Sequence, residues 1–248
     1  MLRGATGKYS GPGPQACHIV AANIEEIRDE PRKQTGKLRP GGVVPSLAEM
    51  MSSMGVGILA FGSIIEAPGS ELAAAASQWI KVETPFCVEF TRSSRTRDGA
   101  PTLVPVSEGG GHVPARVLVF NHSVTLADAR EMLYRRETGR VDDPSASSRV
   151  GWIAELVGFA GTSTCLYTAL PANIRPLSAE RLAKLALHSA LAPAGSARRD
   201  GISYLQQQKR HGIVTPLMSA YEGAVLARTA ARDLDDAWER VRSGAVSV

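Results

Sequence analysis

Ten residues, 56–65, most constrain what this chain can fold into. They read Val-Gly-Ile-Leu-Ala-Phe-Gly-Ser-Ile-Ile, apolar throughout except for a break at Gly62-Ser63 that brings no turn to polar sequence. A strand apolar on both faces belongs at the centre of a sheet, covered from each side. The Gly-Ser break adds a second expectation, because bare backbone N–H groups can approach a ligand where a larger side chain would block it.

Downstream, Phe86, Val88 and Phe90 alternate with Cys87, Glu89 and Thr91, the period of a strand with one face inward. A turn at Arg97-Asp98-Gly99 leads to strands over 102–106 and 115–120, joined by Gly109-Gly110-Gly111. Pro101 and Pro105 make the first of these an edge strand or a bulged one. Residues 71–79 read as a short helix or irregular segment. The clearest helix runs over 125–136, with Thr125 as N-cap, Asp128 in its first turn and Gly139 as its stop. Strand signal returns at 156–159 and 165–170 and ends at Pro171 and Pro176, after which 178–191, 202–209, 217–232 and 234–241 read as helices. Strands with one marked helix among them, followed by a helical segment, predict an α+β fold or a mixed barrel capped by helices rather than a doubly wound sheet. Residues 1–54, rich in Gly and Pro, read as an extension, partly loop or disordered, with one short helix near 19–28. Residues 55–248 then form the domain, helical from about 178.

Composition narrows the function classes. With 248 residues, 44% of them hydrophobic, the chain can bury a sizeable core. No segment sustains the roughly 18 apolar residues of a membrane helix, and Met1 to Gly11 lacks the apolar stretch of a secretion signal, so a cytoplasmic protein is expected. Cys17, Cys87 and Cys165 show neither a disulfide framework nor zinc-ligand spacing and read as small buried hydrophobes. The five histidines make no ligand grouping either, and no metal is expected. A net charge of +4 and a pI of about 9.1 raise the question of nucleic acid. Interleaved acidic residues, 5% aromatics and the lack of any recognition motif argue against it. Gly4 to Ser10 lacks the Gly-Lys-Ser/Thr ending of a phosphate loop.

Leu126, Ala129, Leu133 and Glu137 fall at steps of three, four and four, so a carboxylate continues the apolar stripe of the helix. Burial and the negative end of the helix dipole both raise a carboxyl pKa, which suits general acid/base chemistry. The competing expectation is a solvated or paired charge at a fraying helix end, since Arg135, Arg136 and Arg140 are adjacent. Arg92, Arg95 and Arg97 are either a clamp for a carboxylate-bearing substrate or a solvated strand end. Ser63 has no nucleophile elbow around it, and His112, beside three glycines, reads as a loop residue rather than a base.

Taken in order, Phe61-Gly62-Ser63-Ile64-Ile65, Phe90-Thr-Arg-Ser-Ser-Arg, Pro101-Thr-Leu-Val-Pro-Val, Ala115-Arg-Val-Leu-Val-Phe and Leu133-Tyr-Arg-Arg-Glu137 resemble the γ-glutamylcyclotransferase-like superfamily. The likeness is closest to its glutathione-degrading, cation transport regulator-like branch, and Gly201-Ile-Ser-Tyr-Leu205 is similar to a Tyr-Leu helix found there. It spans about 55–210. The resemblance implies a small mixed β-barrel with flanking helices. It further implies that Phe61, Gly62, Ser63, Ile64 and Ile65 form a substrate loop with Arg92 and Arg95 nearby, and that Glu137 moves a proton while a γ-glutamyl amide cyclises to 5-oxoproline. No cofactor is implied, because the nucleophile lies inside the substrate. Phe61 stands where that loop usually begins with Tyr, and the helices after Arg210 have no counterpart. The alternative expectation is a non-catalytic small-molecule binding module or regulatory protein that retains the pocket. Residues 217–241 carry enough Leu, Val and Ala to pack on the domain or on a second copy in a homodimer.

Overall fold

The structure, a computed structural model, describes residues 55–139 and 151–246. The Gly/Pro-rich extension and the expected helix near 19–28 lie outside the described residues. Strand β1 (Gly57–Ala60) is buried along its whole length, as a run apolar on both faces requires. It pairs antiparallel with β5 (Pro114–Phe120) and parallel with β7 (Thr164–Thr168). Outside these lie β2 (Ala76–Glu83), antiparallel to β5, and β6 (Ile153–Val157), antiparallel to β7. The five-stranded sheet therefore has the order β2-β5-β1-β7-β6, with a separate two-stranded hairpin of β3 (Val88–Ser94) and β4 (Ala100–Pro105). The chain is α+β with mixed sheets. The hairpin is tied to the sheet by an isolated bridge between Val88 and Gly111, in which the Val88 N–H donates to the Gly111 carbonyl at 2.9 Å and the Gly111 N–H to the Val88 carbonyl at 3.1 Å. Strand pairing among the described residues does not itself close the two sheets into one barrel.

Alternation along β1 sends its side chains into two cores. Ile58 and Ala60 face helix α3 (Leu126–Thr138), where they meet Ala129 and Leu133. Leu59 and Phe61 face the hairpin and the C-terminal helices. Burial of each of the larger of these, Ile58, Leu59 and Leu133, contributes about 1.5–3 kcal/mol. The apolar run beyond Gly62 is not strand but a single helical turn, α1 (Ser63–Glu66), followed by α2 (Ser70–Ala75). The expected helical or irregular stretch 71–79 thus divides, its second half belonging to β2. Pro105 ends an edge strand, and β3 carries a bulge between Phe90 and Arg92.

Helix α3 starts on a complete capping box, with Thr125 and Asp128 exchanging side chain-to-backbone bonds, and stops at Gly139, whose φ of 66° is left-handed. The C-terminal segment comprises α4 (Ala179–Leu191), α5 (Pro193–Ser196), α6 (Gly201–Arg210), α7 (Met218–Thr229) and α8 (Leu234–Arg242). Leu182, Ile202, Tyr221 and Val241 join the core cluster that contains Leu59 and Phe90, so these helices pack on the hairpin side of the sheet.

A carboxylate locks the α6–α7 connection in place. Alternation put Glu89 on the outer face of β3, yet its side chain is buried, because the loop before α7 covers it. It accepts hydrogen bonds from the Phe90 N–H (2.8 Å), the Thr215 hydroxyl (2.7 Å) and the Leu217 N–H (3.0 Å). Burial pushes its pKa up, partly offset by those donors. Cys165 is buried and free, and burial pushes its thiol up to about 12. Cys87, also buried, is disulfide-bonded, against the expectation of three unpaired hydrophobes. Among the described residues no helix is long and apolar enough to cross a membrane, and no group of three or more His, Cys, Asp or Glu is arranged to hold a metal ion.

Candidate functional site

A cavity of about 700 Å³ opens between the Phe61–Ile64 turn, the hairpin, the last turn of α3 and the start of α6. Its volume lies in the range of small-molecule sites. Gly62, an expected site residue, does not itself line the cavity but sets the turn between Phe61 and Ser63, which do. Its φ of 59° is a left-handed value that other residues adopt at a cost, and a Cβ there would lie 2.8 Å from the Tyr204 hydroxyl. Phe61 lines the cavity, held edge-on against Phe86, whose ring stacks on Tyr167. Ser63 and Ile64 also line it. Among the described residues no acceptor engages the backbone N–H of Gly62 or Ser63.

The opposite wall is the C-terminal end of α3. Ala129 and Leu133 are fully buried, and Glu137 continues their stripe to the cavity with its side chain 15% exposed. Arg136 joins the two walls. Its guanidinium donates to Glu137 Oε1 at 2.5 Å, to the Ser63 hydroxyl at 3.3 Å and to the Ala67 carbonyl at 2.8 Å. Glu137 is therefore both on the cavity and ion-paired, which combines the two expectations for it. Arg135 is bonded to Glu71 and Glu131 instead.

Of the other expected site residues, Arg92 lines the cavity and donates to the Pro171 carbonyl at 2.7 Å. Arg95 does not line it and is exposed in the 3₁₀ turn Arg95–Arg97. Ile65 is also absent from the cavity wall, its side chain lying in the core under the loop. Arg97, two residues on, takes the position Arg95 lacks: it lines the cavity, its guanidinium lies 4.8 Å from the centre of the Tyr204 ring, and it donates to the Arg199 carbonyl at 3.1 Å. Burial holds Arg92 and Arg97 below the usual arginine range.

Tyr204, Arg199 and Thr168 also line the cavity and were not among the expected site residues. Tyr204 lay within the Gly201 to Leu205 resemblance, whereas nothing local to Arg199 or Thr168 marks them. The Tyr204 phenol is pushed up by burial and drawn back by Arg97. The buried Thr168 hydroxyl and the side-chain amide of the fully buried Gln208 have no partner among the described residues.

Comparison with family models, with curated proteins and with solved structures finds no match for this chain.

Proposed function

We propose that this cavity is the active site of a cofactor-independent γ-glutamylcyclotransferase-like enzyme. The observation that carries the proposal is that Glu137 and the Phe61–Ile64 turn line one cavity and are linked through Arg136. In this reading the two sheets and their seam at Val88–Gly111 correspond to the small barrel of that superfamily. The γ-glutamyl group lies between the walls, and the free N–H groups of Gly62 and Ser63 bind its α-carboxylate. Glu137 exchanges its Arg136 contact for the α-amine and takes a proton from it. The amine nitrogen then attacks the γ-carbonyl carbon, the amide C–N bond breaks, and Glu137 returns the proton to the departing amine. The products are 5-oxoproline and a free amine. Holding nucleophile and carbonyl in one folded substrate supplies most of the advantage, because ring closure is unimolecular. Phe61 lacks the hydroxyl of the Tyr usual at that position, and the phenol nearest the loop is Tyr204.

Release of 5-oxoproline from glutathione and from a panel of γ-glutamyl amines tests the proposal. Wild type is expected to turn over at least one member, and Glu137→Gln to lose that turnover. Identical behaviour of the two proteins across the panel removes Glu137 from the chemistry. A binding module is the second reading, and the Arg136–Glu137 ion pair favours it, since it occupies a carboxylate oxygen that the proton transfer would have to free. It predicts thermal stabilisation by γ-glutamyl compounds without release of 5-oxoproline.

A further inference from the structure

A second cavity, of about 310 Å³, lies on the other side of the helical turn α1. Ser63 and Ile64 line the first cavity, Ile65 lines the second, and no residue lines both. It opens where β5 outruns β1: their pairing ends at Ala60 and Arg116, whereas β5 begins at Pro114. Four of its eight lining residues are basic, Lys81, Arg116, Arg210 and His211, and none is acidic. The negative end of α6 accounts for Arg210 and His211, since cations are favourable there. It does not account for Lys81 and Arg116, which face each other directly across the antiparallel β2–β5 pair. Like charges so placed are unfavourable. The Arg116 guanidinium lies 5.9 Å from the centre of the Trp79 ring, a contact that orients the charge without cancelling it. Lys81, Arg116 and Arg210 form no ion pair with any carboxylate among the described residues. Glu66, on α1 beside this wall, is committed to the Gln207 amide and to His211 Nε2, 3.2 Å away.

We propose that this second cavity binds a phosphoryl dianion, presented by a small phosphate monoester or by inorganic phosphate, and that Lys81, Arg116 and Arg210 hold it. The three cations come from three elements, β2, β5 and α6, and so reach a ligand from different directions. A phosphoryl group matches that arrangement, with three acceptor oxygens and nearly two negative charges at neutral pH. A carboxylate, planar and singly charged, satisfies one guanidinium and leaves the remaining cations uncompensated. The anion relieves the repulsion between Lys81 and Arg116, which is the gain that favours its entry. The cavity is at the small end of ligand sites, which limits the rest of the molecule to a few atoms. This inference does not depend on the cyclotransferase reading, because the two cavities share no residue.

Calorimetry on the full chain tests it, with inorganic phosphate, glycerol 3-phosphate and acetate as probes at one ionic strength fixed by sodium chloride. Saturable binding of a phosphate probe is expected, at least about 5-fold tighter than acetate. Tighter binding of glycerol 3-phosphate identifies a monoester site, and tighter binding of inorganic phosphate identifies a site for the free ion. Lys81→Met and Arg210→Met are each expected to weaken the phosphate probe about 5-fold or more, and Lys81→Arg to retain its affinity. Both positions carry exposed side chains, so these variants are expected to fold. Arg97→Met, which alters the first cavity, is expected to leave phosphate affinity unchanged. Absence of saturable binding by either phosphate probe overturns the proposal, and so does acetate binding as tightly as phosphate. Phosphate affinity lost in Arg97→Met but kept in Lys81→Met and Arg210→Met puts the anion in the first cavity and overturns it as well.

Discussion

Two carboxylates removed from bulk water, Glu89 and Glu137, show how differently one residue type is used in this chain. Glu89 is surrounded by protein donors: two backbone N–H groups and one hydroxyl fix its oxygens, and among the described residues no cation lies within ion-pair distance. Its acceptors are consumed by the fold, and what it holds is the connection between α6 and α7. Among the described residues Glu137 has one hydrogen-bond partner, Arg136, and it lines the cavity. Burial alone therefore does not mark a working carboxylate. What separates the two is whether the oxygens are already satisfied by immobile protein groups or can still be offered to a ligand.

Substitutions at the two positions should separate activity from stability. On the cyclotransferase reading, the largest effect is expected at Glu137→Gln, where loss of the proposed acid/base should lower kcat about 10²- to 10⁴-fold, measured as 5-oxoproline release, with the melting temperature nearly unchanged. A parallel loss of stability would mean that the Arg136 bridge is structural and the comparison fails. Glu89→Gln should do the reverse. Replacing one oxygen by NH2 sets two donors against each other in the core and should cost about 1–3 kcal/mol by denaturant unfolding.

The same variant should also change the dependence of stability on pH. Burial raises the folded-state pKa of Glu89 above its ordinary value, so the folded protein binds this proton more tightly than the unfolded chain does. Its contribution is fully present below the ordinary carboxylate range and is lost as pH rises through the raised value. Wild type minus Glu89→Gln should accordingly show stability falling with rising pH in that window. Asp236, held at about 2 by the Arg232 N–H and the Arg240 guanidinium, acts with the opposite sign at lower pH and cancels in the subtraction.

Much of the scaffold was legible in the sequence, because its signals are local. The two-faced apolar run gave β1, the capping residues gave the start and stop of α3, and periodicity gave four helices after Ser178. Strand β2 was missed for a physical reason: it is an edge strand in which Ser77, Gln78 and Trp79 are exposed, so it carries little alternation and owes its form to pairing with β5. Glu89 was misassigned to solvent because the loop that buries it lies 126 residues further along the chain. At the cavity, the helical stripe pointed to Glu137, and the Gly-Ser break pointed to the turn opposite. Choosing between Arg95 and Arg97 was beyond any periodic signal, since a 3₁₀ turn decides which of them faces inward. Arg199 arrives from a loop between helices and has no local mark.

A smaller effect tests how closely the turn at Gly62 is tied to α6. Gly62→Ala introduces a Cβ in a left-handed conformation and against the Tyr204 hydroxyl, and should cost about 1–3 kcal/mol. Combining it with Tyr204→Phe removes the atom it meets but not the backbone strain. The double variant should therefore be more stable than the sum of the two single effects, read from a thermodynamic cycle. Strict additivity would show that the clash is relieved elsewhere and that the loop does not rest on Tyr204.

The smallest effect is expected at the far end of α3, and it bears most directly on the separation of scaffold from site. Thr125 accepts the Asp128 N–H at 3.1 Å and lies three turns from Glu137 along the same helix. Thr125→Ala deletes half of the capping box and should cost about 1 kcal/mol. The lost bonds are confined to the first turn, while the last turn is held independently by Arg136 across to Ser63 and Ala67. Fraying should therefore stop before it reaches the cavity, and kcat/KM should stay within about two-fold of wild type under conditions where both proteins are folded. A larger drop would show that the position of Glu137 depends on the whole helix rather than on the Arg136 bridge, and that bridge would then be a consequence of the helix's placement instead of its cause.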